Sequence, residues 1–306
     1  MKSLFICFLL LPILSMAQER NSRDISVSPF IDGTIMVPAD SKTPPLAILI
    51  GGSGPTDRNG NQQMMKNNSL KFLAEGLYDK GIASFRYDKR ILKQLKDGTL
   101  KEESIRFDDF IKDAMDVVDY FKRSKAFSKI IVIGHSQGSL VGMVAAKGRA
   151  DGFVSIAGAG QEIDDVIVDQ LKRQAPGLVE SARLSFDDLR ANGIAINYSP
   201  GLASIFRPEI QPFLITWMRY NPQESIKLLD IPVLLINGDR DLQVDVAEAE
   251  KLKEAQPNAQ LEIIPNMNHI FKELGEDDMD NSKTYNEPNL PVVPQLVEVI
   301  SRFILQ

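Results

Sequence analysis

Ile130-Ile131-Val132-Ile133-Gly134-His135-Ser136-Gln137-Gly138-Ser139-Leu140 is the stretch on which the fold can be read. Four β-branched apolar residues, suited to a strand buried on both faces, run into Gly-His-Ser-Gln-Gly, and small apolar residues follow. A G-x-S-x-G between a strand and a helix is the pattern of a nucleophile elbow. Its turn is so tight that the serine takes a strained backbone conformation. Glycines two before and two after the serine remove Cβ atoms that would clash where strand and helix cross. The spacing predicts an exposed Ser136 hydroxyl at the C-terminal edge of a sheet, above a helix N-terminus.

On either side of this stretch, apolar runs alternate with helical patterns, as in a mostly parallel sheet flanked by helices. Buried-strand runs fall at residues 46–50, 82–85, 130–133, 153–156, 233–236 and 261–264. Residues 25–27 and 34–37, on either side of Asp32-Gly33, read as an antiparallel start. Helical periodicity marks 69–80, closed by Gly81, and 107–122, 137–147, 246–255 and 293–304. The interval between the strands at 153–156 and 233–236 breaks this rhythm. It holds helical patterns at 163–174 and 186–191 and an aromatic-rich stretch at 206–220, too much for one crossover helix. It reads as a helical cap (161–229) inserted into an α/β core (18–160 and 230–306); a pair of helices on the sheet's flank is the alternative. Residues 275–288 read as a polar loop.

The chain has 306 residues, 43% hydrophobic and 25% charged, with a formal net charge of −6. Those values suit a soluble globular domain and argue against nucleic acid or an anionic membrane as partner. The N-terminus is separate from the fold. Met1-Lys2 is a short basic region, 4–14 an apolar run, and Ser15-Met16-Ala17 a cleavage signal, so residues 1–17 read as a signal peptide. The alternative is an uncleaved anchor, but the run is short for a bilayer span. Export to the periplasm or the medium is expected, with no stable membrane association after cleavage. The single cysteine, Cys7, would leave with the signal.

A serine needs a base to remove its proton during attack, normally histidine, and the chain has two. His135 adjoins Ser136, so its ring would point away from the hydroxyl. His269 follows the last strand on a short loop at the sheet's C-terminal edge and is the expected base. A carboxylate must orient that imidazole. Asp239 and Asp241 both follow the strand at 233–236; Asp239 sits in the turn with Gly238 and suits backbone capping, which leaves Asp241. The order Ser136, Asp241, His269 is that of α/β-hydrolases. For the oxyanion, the amide of Gln137 at the elbow helix and that of Ser53, with Gly52 beside it, are the expected donors.

Gly51-Gly52-Ser53-Gly54-Pro55-Thr56-Asp57-Arg58-Asn59-Gly60, Arg86-Tyr87-Asp88-Lys89-Arg90, Gly134-His135-Ser136-Gln137-Gly138, Gly238-Asp239-Arg240-Asp241 and His269 together resemble bacterial α/β-hydrolase carboxylesterases. Those are relatives of serine-aminopeptidase-like hydrolases with a GGSGPxDRxG oxyanion loop. The match runs from about residue 25 to the C-terminus. The resemblance implies a capped α/β-hydrolase that cleaves short-chain acyl esters with Ser136, Asp241 and His269 as triad. One departure stands out: such hydrolases often continue Arg-Gly-x-Gly-x-Ser, whereas Arg90 here precedes Ile91-Leu92-Lys93. Arg86 and Asp88 are expected in structural ion pairs, and Asp57 and Arg58 either brace the oxyanion loop or meet substrate. Phe213, Trp217 and Met218 are candidates for an acyl pocket.

Two histidines and a cysteine-free mature chain cannot build a usual zinc site, so no metal or other cofactor is expected. The expected partner is a small-molecule ester; oligomeric state is left open. An aminopeptidase or amidase needs an acid for the substrate amine, for which Glu209 or Glu224 could serve. A non-catalytic binding protein on a hydrolase scaffold is the remaining class.

Overall fold

The computed structural model describes residues 20–275 and 281–306. The signal segment 1–17 and the acidic run 276–280 lie outside the described residues. Eight strands form one sheet: β1 (Ser22–Ser28), β2 (Ile31–Met36), β3 (Leu46–Ile50), β4 (Ala83–Tyr87), β5 (Ile130–His135), β6 (Gly152–Ile156), β7 (Val233–Gly238) and β8 (Gln260–Ile264). The helices are α1 (Ser69–Asp79), α2 (Arg90–Lys96), α3 (Phe107–Ser124), α4 (Gln137–Ala146), α5 (Ile163–Gln174), α6 (Val179–Asn192), α7 (Ala203–Phe206), α8 (Gln211–Trp217), α9 (Pro222–Lys227), α10 (Val246–Ala255), α11 (Asn281–Thr284) and α12 (Pro294–Leu305).

The sheet order is β1-β2-β4-β3-β5-β6-β7-β8. β2 is antiparallel to both neighbours, and from β4 onward every pairing is parallel. Alternate residues of each central strand enter opposite cores, which is why the strands read as unbroken apolar runs. Leu46, Ile48, Ile50 and Val132 pack with α3 and α4, whereas Ala47, Leu49, Ile131 and Ile133 pack with α1 and α12. The adjacent strands β3 and β5 thus send their following helices, α1 and α4, to opposite faces. That divergence opens a crevice at the strands' C-terminal ends, where doubly wound sheets take their ligands.

Helices α5 to α9 all lie in the interval between β6 and β7. They carry a core of their own, with Phe186, Leu189, Phe206 and Leu214 buried together. The loop 275–288 includes a single helical turn, α11.

Two local expectations fail. Asp32 and Gly33 are not the first turn but lie inside β2, and the chain turns at Pro29-Phe30. Gly33 is there because a Cβ would come within 2.4 Å of the Phe85 ring on β4. The segment after Arg90, for which the sequence pattern marks no helix, is the helix α2. Its Arg90 is buried on Asp113 at 2.7 Å, a contact with α3 that local pattern cannot reveal.

Candidate active site

β5 ends in the elbow. Ser136 has φ 53° and ψ −121°, a region that non-glycine residues avoid, and its N–H donates to the Ile156 carbonyl at 2.9 Å. A Cβ on Gly134 would lie 2.2 Å from the Gly138 carbonyl oxygen, and one on Gly138 would lie 2.5 Å from that of Ile50. Both glycines are therefore dictated by backbone meeting backbone. Ser136 stands at the N-cap position of α4 without a side-chain bond to the helix and is half-buried.

The loop after β7 brings Asp241 to the same edge. Its Oδ1 accepts the amides of Gln243 (2.8 Å) and Val244 (2.9 Å), and its Oδ2 lies 2.7 Å from Nδ1 of His269. Asp239 accepts the Asn266 amide at 2.6 Å and so ties this loop to the one carrying the histidine. That loop is held again by Asn268, whose Oδ1 accepts the amides of Ile270 and Lys272. His269 and Ser136 line one cavity of about 100 Å³, together with Gln243 and Tyr285, which bond each other at 2.6 Å.

His135 has a role that its sequence position conceals. Its buried ring lies 4.8 Å from that of His269, and its Nε2 is 2.9 Å from the His269 carbonyl oxygen. Burial, reinforced by the neighbouring His269, holds His135 well below its ordinary pKa, so the ring is neutral. A carbonyl only accepts, which fixes the proton on Nε2. The ring is thus a clamp on the backbone of the residue bonded to Asp241.

The glycine-rich loop after β3 lies against the elbow: a Cβ on Gly52 would be 3.3 Å from the Ser136 Cβ. The amides of Ser53 and Gln137 have no hydrogen-bond partner among the described residues. Thr56 and Gln62 each donate to the Ser53 carbonyl at 2.8 Å. Asp57 accepts the amides of Asn59 and Asn61, and Arg58 pairs with Asp88 at 2.6 Å. Asp57 and Arg58 brace the loop and line none of the cavities beside Ser136. Arg86 departs from the expected ion pair. It bonds Asn59 Oδ1 at 3.1 Å and Met36 Sδ at 3.2 Å, and burial lowers its pKa.

Two larger cavities flank Ser53 and Gln137. The first, about 400 Å³, also reaches Ser136 and is walled by Leu140, Val166 and Ile205. The second, about 320 Å³, is walled by Ile91, Leu95 and Phe110, with Arg207 and Glu102 paired at its rim. Ile210, Phe213 and Trp217 line both. Met218 does not join them; it is buried in the inserted helices' own core, because α8 turns it away from Phe213 and Trp217. Helix α2 supplies Ile91 and Leu95, so the segment after Arg90 forms part of a cavity wall.

Lys89 was not singled out by sequence and sits directly behind this wall. It is 7% exposed, donates to Gln137 Oε1 at 2.6 Å, and its ammonium lies 4.9 Å from the Phe110 ring centre. Among the described residues no carboxylate pairs with it, and burial lowers its pKa to about 7.

Among the described residues no group of three or more histidine, cysteine, aspartate or glutamate side chains could hold a metal ion. No helix there is long and apolar enough to cross a membrane.

The fold is that of the α/β-hydrolases. Among solved structures, Est1E from Butyrivibrio proteoclasticus superposes with a TM-score of 0.59 at 17% identity, covering 93% of this chain and 97% of that one. A dienelactone hydrolase from Anabaena variabilis gives 0.54 at 17% identity, covering 94% and 97%. An esterase of Pyrococcus furiosus gives 0.54 at 15%, covering 94% and 91%. In sequence, the chain is 31% identical over 265 residues to Esterase EstD of Thermotoga maritima. That alignment covers 81% of this chain and 60% of the relative, so the chain spans three fifths of the relative's length. No family model matches the chain.

Proposed function

We propose that this protein hydrolyses carboxylic esters through an acyl-enzyme on Ser136. The observation that carries the reading is the 2.7 Å contact of His269 Nδ1 with Asp241, made by an imidazole that lines one cavity with a serine on a strained elbow. With Nδ1 engaged, Nε2 of His269 takes the Ser136 proton as Oγ attacks the ester carbonyl. The amides of Gln137 and Ser53 receive the negative charge that forms on the carbonyl oxygen, aided by the N-terminus of α4. The imidazolium returns its proton to the departing alcohol. Water, deprotonated by His269, then attacks the acyl-enzyme, and Ser136 regains its proton as the acid leaves. The likeness to a protein named an esterase supports this class of substrate. We assign the acyl group to the first cavity, with Phe213 and Trp217 in its wall; its 400 Å³ takes short acyl chains and leaves room beyond an acetyl. The signal-like residues 1–17 support export of this activity.

The aminopeptidase alternative finds less support. No carboxylate lines the first cavity; Glu209 and Glu102 line the second, but both are paired with Arg207, and Glu224 is paired with Lys227 at 2.7 Å. The test is Ser136→Ala. It should lower kcat/KM toward p-nitrophenyl butanoate by about 10⁴-fold or more with the fold unchanged. Full activity in that variant, or failure of a fluorophosphonate to modify Ser136, would end the reading. An aminoacyl anilide cleaved faster than p-nitrophenyl acetate would move it to the amidase alternative.

A further inference from the structure

A buried cation without a counter-ion costs stability, so its position calls for a reason beyond packing. Lys89 stands at the end of β4, and its ammonium is held by one amide oxygen and one aromatic face. The amide belongs to Gln137, which follows Ser136 and lines both large cavities. Lys89 Nζ donates to Oε1 at 2.6 Å, and that bond sets the orientation of the Gln137 carboxamide. Oε1 must face Lys89, and the NH₂ group must turn the other way. The residue is buried, yet Nε2 is not among the buried polar atoms left without a partner, and no protein acceptor engages it among the described residues. It therefore faces the cavities.

The geometry points to Lys89 as a positioning residue that locks the Gln137 carboxamide with its NH₂ group at the junction of the two cavities, donating to a second oxygen of the substrate. This rests on the ester-hydrolase reading and narrows its substrate class. The favoured ester is apolar on both sides and carries an ether, hydroxyl or carbonyl oxygen within a few bonds of the scissile group. The two cavities share Ile210, Phe213 and Trp217 as apolar wall, with Ser53 and Gln137 as the polar residues common to both. A donor held in one orientation beside such apolar wall discriminates well, since a substrate without the acceptor leaves it unpaired.

The experiment compares matched esters that differ by one oxygen. p-Nitrophenyl 3-methoxypropanoate is set against p-nitrophenyl pentanoate for the acyl side, and 2-methoxyethyl butanoate against butyl butanoate for the alcohol side. The readout is the ratio of kcat/KM within each pair, divided by the ratio for spontaneous hydrolysis. The wild type should favour the oxygen-bearing member of at least one pair by about five- to tenfold. Lys89→Met and Gln137→Met should each bring that ratio to unity, and the double variant should do no more than either alone. Gln137→Glu keeps the shape and gives Lys89 a counter-ion but has no N–H, so it should lose the preference without losing thermal stability. A ratio of unity in the wild type, or a ratio unchanged in Lys89→Met, overturns the inference while the hydrolase reading stands. An equal fall for both members of a pair makes Lys89 structural and overturns it too. A wild type that cleaves no ester and resists the fluorophosphonate removes the hydrolase reading, and this inference with it.

Discussion

Ser136 holds a backbone conformation that costs about 1–3 kcal/mol for a residue with a Cβ. Ser136→Ala keeps that strain and Ser136→Gly relieves it, so the glycine variant should be the more stable of the two by about 1 kcal/mol in denaturant titration. Equal stability would mean that the turn relaxes without a Cβ to force it. Lys89 supplies the complementary case, in which charge is the stored cost. Its pKa falls from 10.5 to about 7 in the fold, so between those values the unfolded chain binds the extra proton. Stability attributable to this group therefore rises as pH climbs from about 7 toward 10, by about 1.4 kcal/mol per unit crossed, and is at its lowest below 7. Lys89→Met removes the slope; its advantage over the wild type should be largest near pH 6 and should shrink toward pH 10. A constant gap across that range would mean that the ammonium is not desolvated. Ser136, Asp241 and His269 stand out in the sequence as candidates because each ends a recognisable strand or lies just beyond one. His135 and Lys89 were not, because a clamp on the His269 carbonyl or on the Gln137 side chain depends on partners distant in sequence.

At the scale of elements, the candidate triad depends on how closely the ends of β7 and β8 approach. A Cβ on Gly238 would fall 1.9 Å from the Met267 carbonyl oxygen, which also accepts the Arg240 amide. Gly238→Ala must therefore push the Asp241 loop away from the His269 loop. Both stability and activity should fall, with kcat reduced more than 100-fold, because a displacement near 1 Å of a catalytic group costs about that much. Wild-type kcat in a folded Gly238→Ala protein would show that the two loops move as one body. The parallel strands were readable because burial on both faces leaves an unbroken apolar run. Helix α2 was not, because its anchor is the Arg90–Asp113 pair with α3, and its sequence, Arg-Ile-Leu-Lys-Gln-Leu-Lys, is too short to show a period. Gly33 misled for a related reason: a glycine required by the Phe85 ring looks the same in sequence as one required by a turn.

Across the whole molecule, the sheet carries the candidate reacting groups and the inserted helices wall the cavities beside them. Trp217 stacks flat on Phe107 of α3, with centroids 5.2 Å apart and an interplanar angle of 4°, and Phe213 packs edge-on to Phe110 at 5.6 Å. These contacts dock α8 onto the core and set a partition between the two large cavities. Phe213 lines both and rests on residues of both layers, so its removal should join the cavities with limited damage to the fold. In Phe213→Ala the kcat/KM ratio of p-nitrophenyl decanoate to p-nitrophenyl butanoate should rise at least fivefold, because a long acyl chain can then extend past the partition. The melting temperature should drop by a few degrees, in keeping with the loss of a half-buried aromatic contact. An unchanged chain-length profile in a folded variant would mean that Ile210 and Trp217 alone divide the space. The acyl chain would then be confined by the floor of the first cavity, near Leu140 and Val166, and not by the wall that α8 provides.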